Sequence, residues 1–397
     1  MVVTGAVVAT GLATPVRLQF AVPPPPPPQG AQGRTTTTST PVASTSTSAA
    51  APAPPTTAPA PPSTTSAAAV RTAPPTTVRR APPPRRSTAP KGATHTKAGT
   101  GAAAAPAPTA PPHIMVVMME NESQSSLLGN PSAPNVNALA DSYGLATASY
   151  SIGHPSLPNY LELLSGSNDG VTDDDAPSAQ GIPAGTQTLA NQLVAAGIPW
   201  RAYMESMPSG GYTGGDTTCC GGQYYQHHNP FVYFPAVTSL PSFAADVVPA
   251  TTLMSDLDTA DPPAFVWVTP NGADDMHDGT TNSEGEVDPA TGDAWLGSFV
   301  AQVQSTAWYA AGGRIVVEWD EGADSDTSGV GTAGEGGGGQ IVTLVVSAAL
   351  RARPERDATP VNTAGILRSI EQAYGLPLLG DAAQAANGDI DSLLDAG

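Results

Sequence analysis

The chain has 397 residues, 43 of them proline and 41 glycine, with a formal net charge of −19. The charge is divided: residues 1–112 carry nine of the fifteen Lys and Arg and no acid, while residues 113–397 carry six Arg, no Lys and all thirty-four Asp and Glu, a net −28. So acidic a region argues against nucleic acid as its partner, because phosphate backbones are held by clusters of Lys and Arg. It favours a bound cation wherever phosphate must be held.

Residues 1–16, MVVTGAVVATGLATPV, have the length of a signal-peptide core but lack its basic n-region. The Pro, Ala, Thr and Ser that follow cannot bury enough apolar surface to fold, so a disordered tail over 1–112 is expected to precede one domain over 113–397. This tail is like the stalks of exported enzymes and gives a secreted or cell-wall-associated location as the expectation. Its pairs Arg79-Arg80 and Arg85-Arg86 suggest contact with anionic wall polymers or a membrane surface, against the plainer reading of a solubilising spacer. From His113 the run HIMVVMMEN reads as a buried strand, and AFVWVTPN (264–271), GRIVVEWDE (313–321) and QIVTLVVSA (340–348) repeat the plan. Helical spacing lies between them in PNVNALADSYG, LPNYLELLSG, QTLANQLVAAG, AWLGSFVAQVQSTAWYAAGG and NTAGILRSIEQAYG, several closed by Gly. The alternation predicts an α/β fold, a largely parallel sheet with helices on both faces. Cys219 and Cys220 are adjacent, so they offer no long-range disulfide framework and read as loop residues.

In such sheets ligands bind at the carboxyl ends of the strands, where Glu120-Asn121 and Asp320-Glu321 fall. Oxygen ligands on strand ends can converge on one divalent cation; taken singly, each pair reads as a solvated strand terminus. Ser156, in GHPSLPNYLELLSG, stands at the start of a helix, where backbone N–H groups favour an anion. It is a candidate nucleophile or an ordinary cap. His277 with Asp275, in VTPNGADDMHDG, is a candidate acid, phosphate ligand or ligand of a second metal, against the plainer reading of a hydrogen-bonded loop His. His227 and His228 stand beside aromatic residues in YYQHHNPFVYF.

Taken in order, MMENESQSSLLG, GHPSLPNYLELLSGSNDG, YMESMP, HHNPFVYF, PNGADDMHDG, VEWDEG and ILRSIEQAYGLP resemble the bacterial phosphoesterase family of secreted acid phosphatases and phospholipases C, over about 113–380. The resemblance implies an alkaline-phosphatase-like fold with Ser156 as nucleophile. It also implies a divalent metal held by Glu120, Asn121, Asp320 and Glu321, with Asn159, His154, His228 and Asp275 at the substrate phosphate and His277 protonating the departing oxygen. Many members carry His-Tyr-Ser where this chain has Asn362-Thr363-Ala364-Gly365, which favours a one-metal site or an unusual second site. The expected activity is hydrolysis of phosphoric monoesters, of phosphoinositides among them, through a phosphoserine. An acidic optimum is expected because histidines gain charge below about pH 6.5. A phospholipase C-type phosphodiesterase and a catalytically silent wall-associated binding protein are the alternatives. A sulfatase is excluded, since Tyr160 stands where the Cys/Ser-x-Pro-x-Arg pattern has Arg.

Overall fold

A computed structural model describes residues 110–281, 287–331 and 337–395. The 1–16 stretch and the arginine pairs of the tail lie outside the described residues. Nine strands form one sheet: β1 (Ile114–Met119), β2 (Gly144–Tyr150), β3 (Trp200–Met204), β4 (Val247–Pro249), β5 (Phe265–Thr269), β6 (Arg314–Trp319), β7 (Gln340–Val346), β8 (Glu355–Asp357) and β9 (Val361–Asn362). Their order is β4-β3-β5-β1-β6-β7-β2-β8, with β9 also paired to β2.

All pairings are parallel except those of β7, which runs antiparallel to both β6 and β2. The sheet is thus largely parallel, with one reversed strand. After Trp319 the chain turns back at the carboxyl edge and enters β7 there, and an antiparallel neighbour needs no crossover helix.

Every residue of β1 is buried, so both faces of the sheet are covered. Among the described residues five helices have eight or more residues: α1 (Pro134–Ser142), α2 (Ser156–Ser165), α3 (Leu189–Ala196), α4 (Ala290–Gln304) and α5 (Thr363–Tyr374). They fall into two groups, α2 packing on α3 and α5, and α1 packing on α4. The run AWLGSFVAQVQSTAWYAAGG, expected as one helical segment, is broken at Ser305-Thr306. There Thr306 caps a separate turn by accepting from the Tyr309 N–H.

The α2 helix is buried along its whole length and ends at Gly166, whose φ of 71° is left-handed. A Cβ there would lie 2.5 Å from the Leu379 carbonyl oxygen. Gly166→Ala is therefore expected to cost about 1–3 kcal/mol in a denaturant melt. Gly197→Ala, at φ 68° but with open space around it, serves as the reference and should lose only the left-handed penalty of about 1 kcal/mol. Equal losses would show that the Leu379 contact relaxes freely.

Inside α2, Glu162 is 1% exposed. Burial first, then the nearby Asp381 and Asp169, push its carboxyl up to about 8. The folded value lies above the unfolded one, so its contribution to stability is complete below about pH 4.3 and is lost as pH rises through about 8. Glu162→Gln should be near neutral at pH 4 and stabilising by up to a few kcal/mol at pH 9. Urea melts at the two pH values check this, and a gain independent of pH would refute the assignment to ionisation.

Candidate active site

The site forms where the carboxyl ends of β1, β5 and β6 meet α2. Strands β1 and β6 run in parallel register with Met119 opposite Trp319, so the next residues, Glu120 and Asp320, emerge side by side. Asn121 turns the chain away with φ 55°, a conformation Asn tolerates better than most residues, and its N–H donates to Asp320 Oδ1 at 3.1 Å. From the loop after β5, the Asp275 carbonyl accepts the Glu120 N–H at 2.9 Å. That bond fixes the third carboxylate beside the first.

Ser156 is the first residue of α2, with Pro155 as its cap behind a cis His154–Pro155 bond. Its hydroxyl donates to Glu120 Oε2 at 3.2 Å. One turn along the same helical face, the Tyr160 hydroxyl donates to Glu120 Oε1. The ring of Tyr160 stacks on His228 at 5.5 Å. His228 lies between two carboxylates, with Nε2 3.2 Å from Glu120 Oε1 and Nδ1 3.3 Å from Asp275 Oδ2. Asp275 Oδ1 also accepts the His277 N–H at 2.8 Å, and the His277 ring lies 5.2 Å from His228.

The electrostatics are those of crowded negative charge. Burial, then Asp320 and Asp275, hold Glu120 well above the usual carboxylate range. Burial does the same to Asp275, with Asp320 among the charges that add to it. Burial and then Glu321 push Asp320 up to about 8. Burial, with His227 and His277 alongside, holds His228 well below its ordinary value, whereas the bond to Glu321 raises His154 to about 9. His228 therefore stays neutral and His154 stays protonated around pH 6.5. Neither supplies the change of charge on which the expected acidic optimum was based.

A divalent cation fits these residues. Asp275 Oδ2, Asp320 Oδ2 and His228 Nε2 are buried without a hydrogen-bond partner, and Glu120, His228 and Asp275 present ligand atoms within 4.8 Å of one another. Carboxylates with an imidazole suit a hard or borderline ion. A second group of candidate ligands, His227, His228 and His277, shares His228 with the first, and a third joins His154, Glu321 and Asp324.

The structure thus brings Ser156, Glu120, Asp320, Asp275, His228 and His277 together, and it divides the four ligands expected from the sequence. Glu321 turns to His154, whose Nδ1 is 2.9 Å from its carboxylate, and Asn121 reaches Asp320 through its backbone. The Asn159 amide is engaged with its own loop: Oδ1 accepts from Ser151 Oγ and the Gly153 N–H, and Nδ2 donates to the Gly153 carbonyl. Nδ2 also donates to Glu321 Oε2 at 3.5 Å, so Asn159 ties the Ser156 turn to that carboxylate. Cys219 and Cys220 are joined in a disulfide of adjacent residues, which the loop reading did not include and which ties no distant segments together.

Sequence reasoning missed Tyr160, Asp278 and Asp174. Tyr160 carries a signal, standing four residues after Ser156 and so on the same helical face. Asp278, 3.0 Å from His277 Nδ1, directly follows that histidine in VTPNGADDMHDG, whereas Asp174, whose Oδ1 accepts the Leu157 N–H at 2.9 Å, carries none.

Residues 130–377 match the model of the phosphoesterase family. The chain belongs to the phosphoesterase family. It is accordingly a phosphoric-ester hydrolase. It is 31% identical over 273 residues to a phosphatidylinositol-3-phosphatase of Mycobacterium tuberculosis, covering 69% of this chain and 80% of that protein. It is 28% identical over 249 residues to a phosphate-repressible acid phosphatase of Penicillium chrysogenum, covering 62% and 55%. An acid phosphatase of Aspergillus fumigatus is 26% identical over 251 residues, covering 62% and 52%. The chain thus spans only about half the length of these two fungal relatives. Among solved structures, a protein of the alkaline phosphatase superfamily from Vibrio parahaemolyticus aligns with TM-score 0.45 and 16% identity, over 68% of this chain and 67% of that one.

Proposed function

We propose that this phosphoesterase hydrolyses phosphoric monoesters with the help of a divalent metal and through a phosphoserine at Ser156. The observation that carries the reading is the Ser156 hydroxyl, at the N-terminus of α2, bonded to Glu120 within a buried group of carboxyls in which Asp275 Oδ2 and Asp320 Oδ2 lack hydrogen-bond partners. A cation held by Glu120, Asp320, Asp275 and His228 would supply Lewis-acid charge, favouring the ionised hydroxyl and offsetting the charge of the phosphoryl group.

Glu120 Oε2 accepts the Ser156 proton, and Tyr160 holds that carboxylate in place. The Ser156 Oγ–P bond forms as the bond from phosphorus to the alcohol oxygen breaks. The alcohol leaves with a proton from His277, which Asp275 and Asp278 orient. Water then cleaves the Oγ–P bond, giving a proton back to His277 while Glu120 returns its proton to Ser156 Oγ, and inorganic phosphate is released. Throughout, the N–H groups opening α2 favour the negative charge beside Ser156.

The names of the relatives support a monoester substrate, and the mycobacterial one makes a phosphoinositide a candidate. The tail composition supports a secreted or wall-associated location. The test compares p-nitrophenyl phosphate with bis-p-nitrophenyl phosphate, using the full chain with and without chelator. Chelator-sensitive turnover that favours the monoester is expected. A preference for the diester would replace this reading with a phosphodiesterase.

A further inference from the structure

Departure of the alcohol falls to His277, and the bond that orients this ring is poorly protected. His277 Nδ1 lies 3.0 Å from Asp278 Oδ1, with the two side chains 28% and 40% exposed. A pair so open to water holds its geometry weakly on its own. Tyr225 adds what the pair lacks. Its hydroxyl, 2.9 Å from Asp278 Oδ1 and 3.1 Å from Oδ2, donates to that carboxylate. Its ring packs on the His277 ring at 4.8 Å and on those of His227 and His228 at 5.1 and 5.0 Å. One side chain thus grips both members of the pair, Asp278 by a hydrogen bond and His277 by ring contact.

The backbone fixes Tyr225 in that place. Two residues earlier, the Gln223 carbonyl accepts the Gly272 N–H at 3.0 Å, and the Gly272 carbonyl in turn accepts the Asp278 N–H at 2.5 Å. The loop that carries Asp275, His277 and Asp278 is therefore closed over Tyr225 at Gly272. A Cβ on Gly272 would lie 2.5 Å from Asp278 Oδ2 and 2.6 Å from Tyr225 Cε2, so only glycine lets the hydroxyl and the carboxylate meet. Burial first, and then the bond to Asp278, hold the Tyr225 hydroxyl above the usual phenol range, so it remains a donor.

We propose that Tyr225 is the positioning residue for departure of the alcohol: through Asp278 it holds the His277 ring with Nδ1–H bonded to that carboxylate, which leaves Nε2 to protonate the leaving oxygen. The proton passes from His277 Nε2 to the alcohol oxygen as the bond from phosphorus to that oxygen breaks, and the ring keeps its Nδ1 proton. An aliphatic alcohol needs this proton, because its alkoxide is a poor leaving group, whereas p-nitrophenolate departs without one. Tyr225 therefore fits the site to esters of aliphatic alcohols, the class to which glycerol and inositol belong. The inference rests on the monoesterase reading and adds to it the residue that aims the acid.

The experiment measures kcat/KM of the full chain, without chelator, for glycerol 1-phosphate and p-nitrophenyl phosphate. This ratio reads the steps up to departure of the alcohol, whatever the rate of the later hydrolysis. Tyr225→Phe keeps the ring among the histidines and removes only the hydroxyl. It should lower kcat/KM for glycerol 1-phosphate at least about tenfold more than for p-nitrophenyl phosphate, a part of the roughly hundredfold or more that a general acid contributes. Gly272→Ala, which wedges the same two groups apart, should act in the same direction. Tyr212→Phe removes a hydroxyl bonded to the Gly215 carbonyl in the same segment and should leave the preference between the two esters as it is. On a His277→Gln background, Tyr225→Phe should change that preference no further. Equal losses with both esters in Tyr225→Phe, or a further change in the absence of His277, overturn the proposal.

Nitrogen-15 NMR of protein labelled in its histidines reads the arrangement without turnover. The neutral His277 ring, assigned by its loss in His277→Gln, should carry its proton on Nδ1 in the wild type and shift it towards Nε2 in Tyr225→Phe. Turnover of neither monoester by the wild type would remove the monoesterase reading. An unchanged tautomer in Tyr225→Phe would remove the positioning role, so the two failures are told apart.

Discussion

Ser156→Ala is expected to lower kcat for p-nitrophenyl phosphate by at least about a thousandfold, the scale on which removal of a covalent nucleophile acts. The expectation follows from where Ser156 sits. The first residue of α2 presents its hydroxyl to Glu120 at the helix end that favours an anion, and no other hydroxyl bonded to that carboxylate can stand in for it. The Tyr160 hydroxyl is the other donor to Glu120, but burial and the Glu120 charge hold it well above the usual phenol range, so it does not ionise to become a nucleophile. Because Ala leaves the helix and the carboxyl group in place, KM should move much less than kcat. Acid quenching of the wild type during turnover, followed by peptide mass mapping, should find phosphate on Ser156. A variant that keeps a tenth of the activity would falsify the covalent route.

Removal of metal should have the second-largest effect, and it should act on activity and stability with opposite dependence on Asp320. Without a cation, Asp320 has a folded value of about 8 against about 3.9 when unfolded. Its contribution to stability is therefore complete below about pH 4 and is lost as pH rises through about 8. Chelated wild type should melt at a lower temperature at pH 8 than at pH 5, and restored metal should recover the difference.

Asp320→Asn removes the buried charge. Chelated Asp320→Asn should consequently be more stable at pH 8 than chelated wild type, by an order of a few kcal/mol, while its activity falls by at least about a hundredfold, the scale on which charge stabilisation of a transition state acts. Scanning calorimetry beside an esterase assay reads both. A melting temperature indifferent to chelator, together with an active Asp320→Asn, would remove the cation from the site.

Much of the framework was legible because strands buried on both faces read as continuous apolar runs. HIMVVMM, AFVWVT, GRIVVEW and QIVTLVV are such runs, and they became β1, β5, β6 and β7. The strand GLATASY (β2) was not legible, since small and polar residues give it no apolar run. Nor was WRAYM (β3), too short to stand out beside the helix before it. Neither could direction be read: QIVTLVV is an apolar run like those of β1, β5 and β6, and only the return of the chain at the carboxyl edge reverses it.

For the site, local pattern identified residues that a helix start or strand end must present, namely Ser156, Glu120 and Asp320. The division of ligands was a tertiary outcome. Sequence adjacency places Glu321 with Asp320, but successive side chains at a strand end point to opposite sides, so Glu321 turns to His154 while Asp320 meets Asn121 and the site. Conversely, Asp275 and His228 are 47 residues apart in the chain and come within 3.3 Å because the loop after β5 and the segment before Pro230 converge over β1. The sequence by itself determined the strand ends, the helix start and the preponderance of acid over base. Only the folded sheet decided which carboxylates share one buried space, because that depends on strand order and register, which residue pattern does not encode.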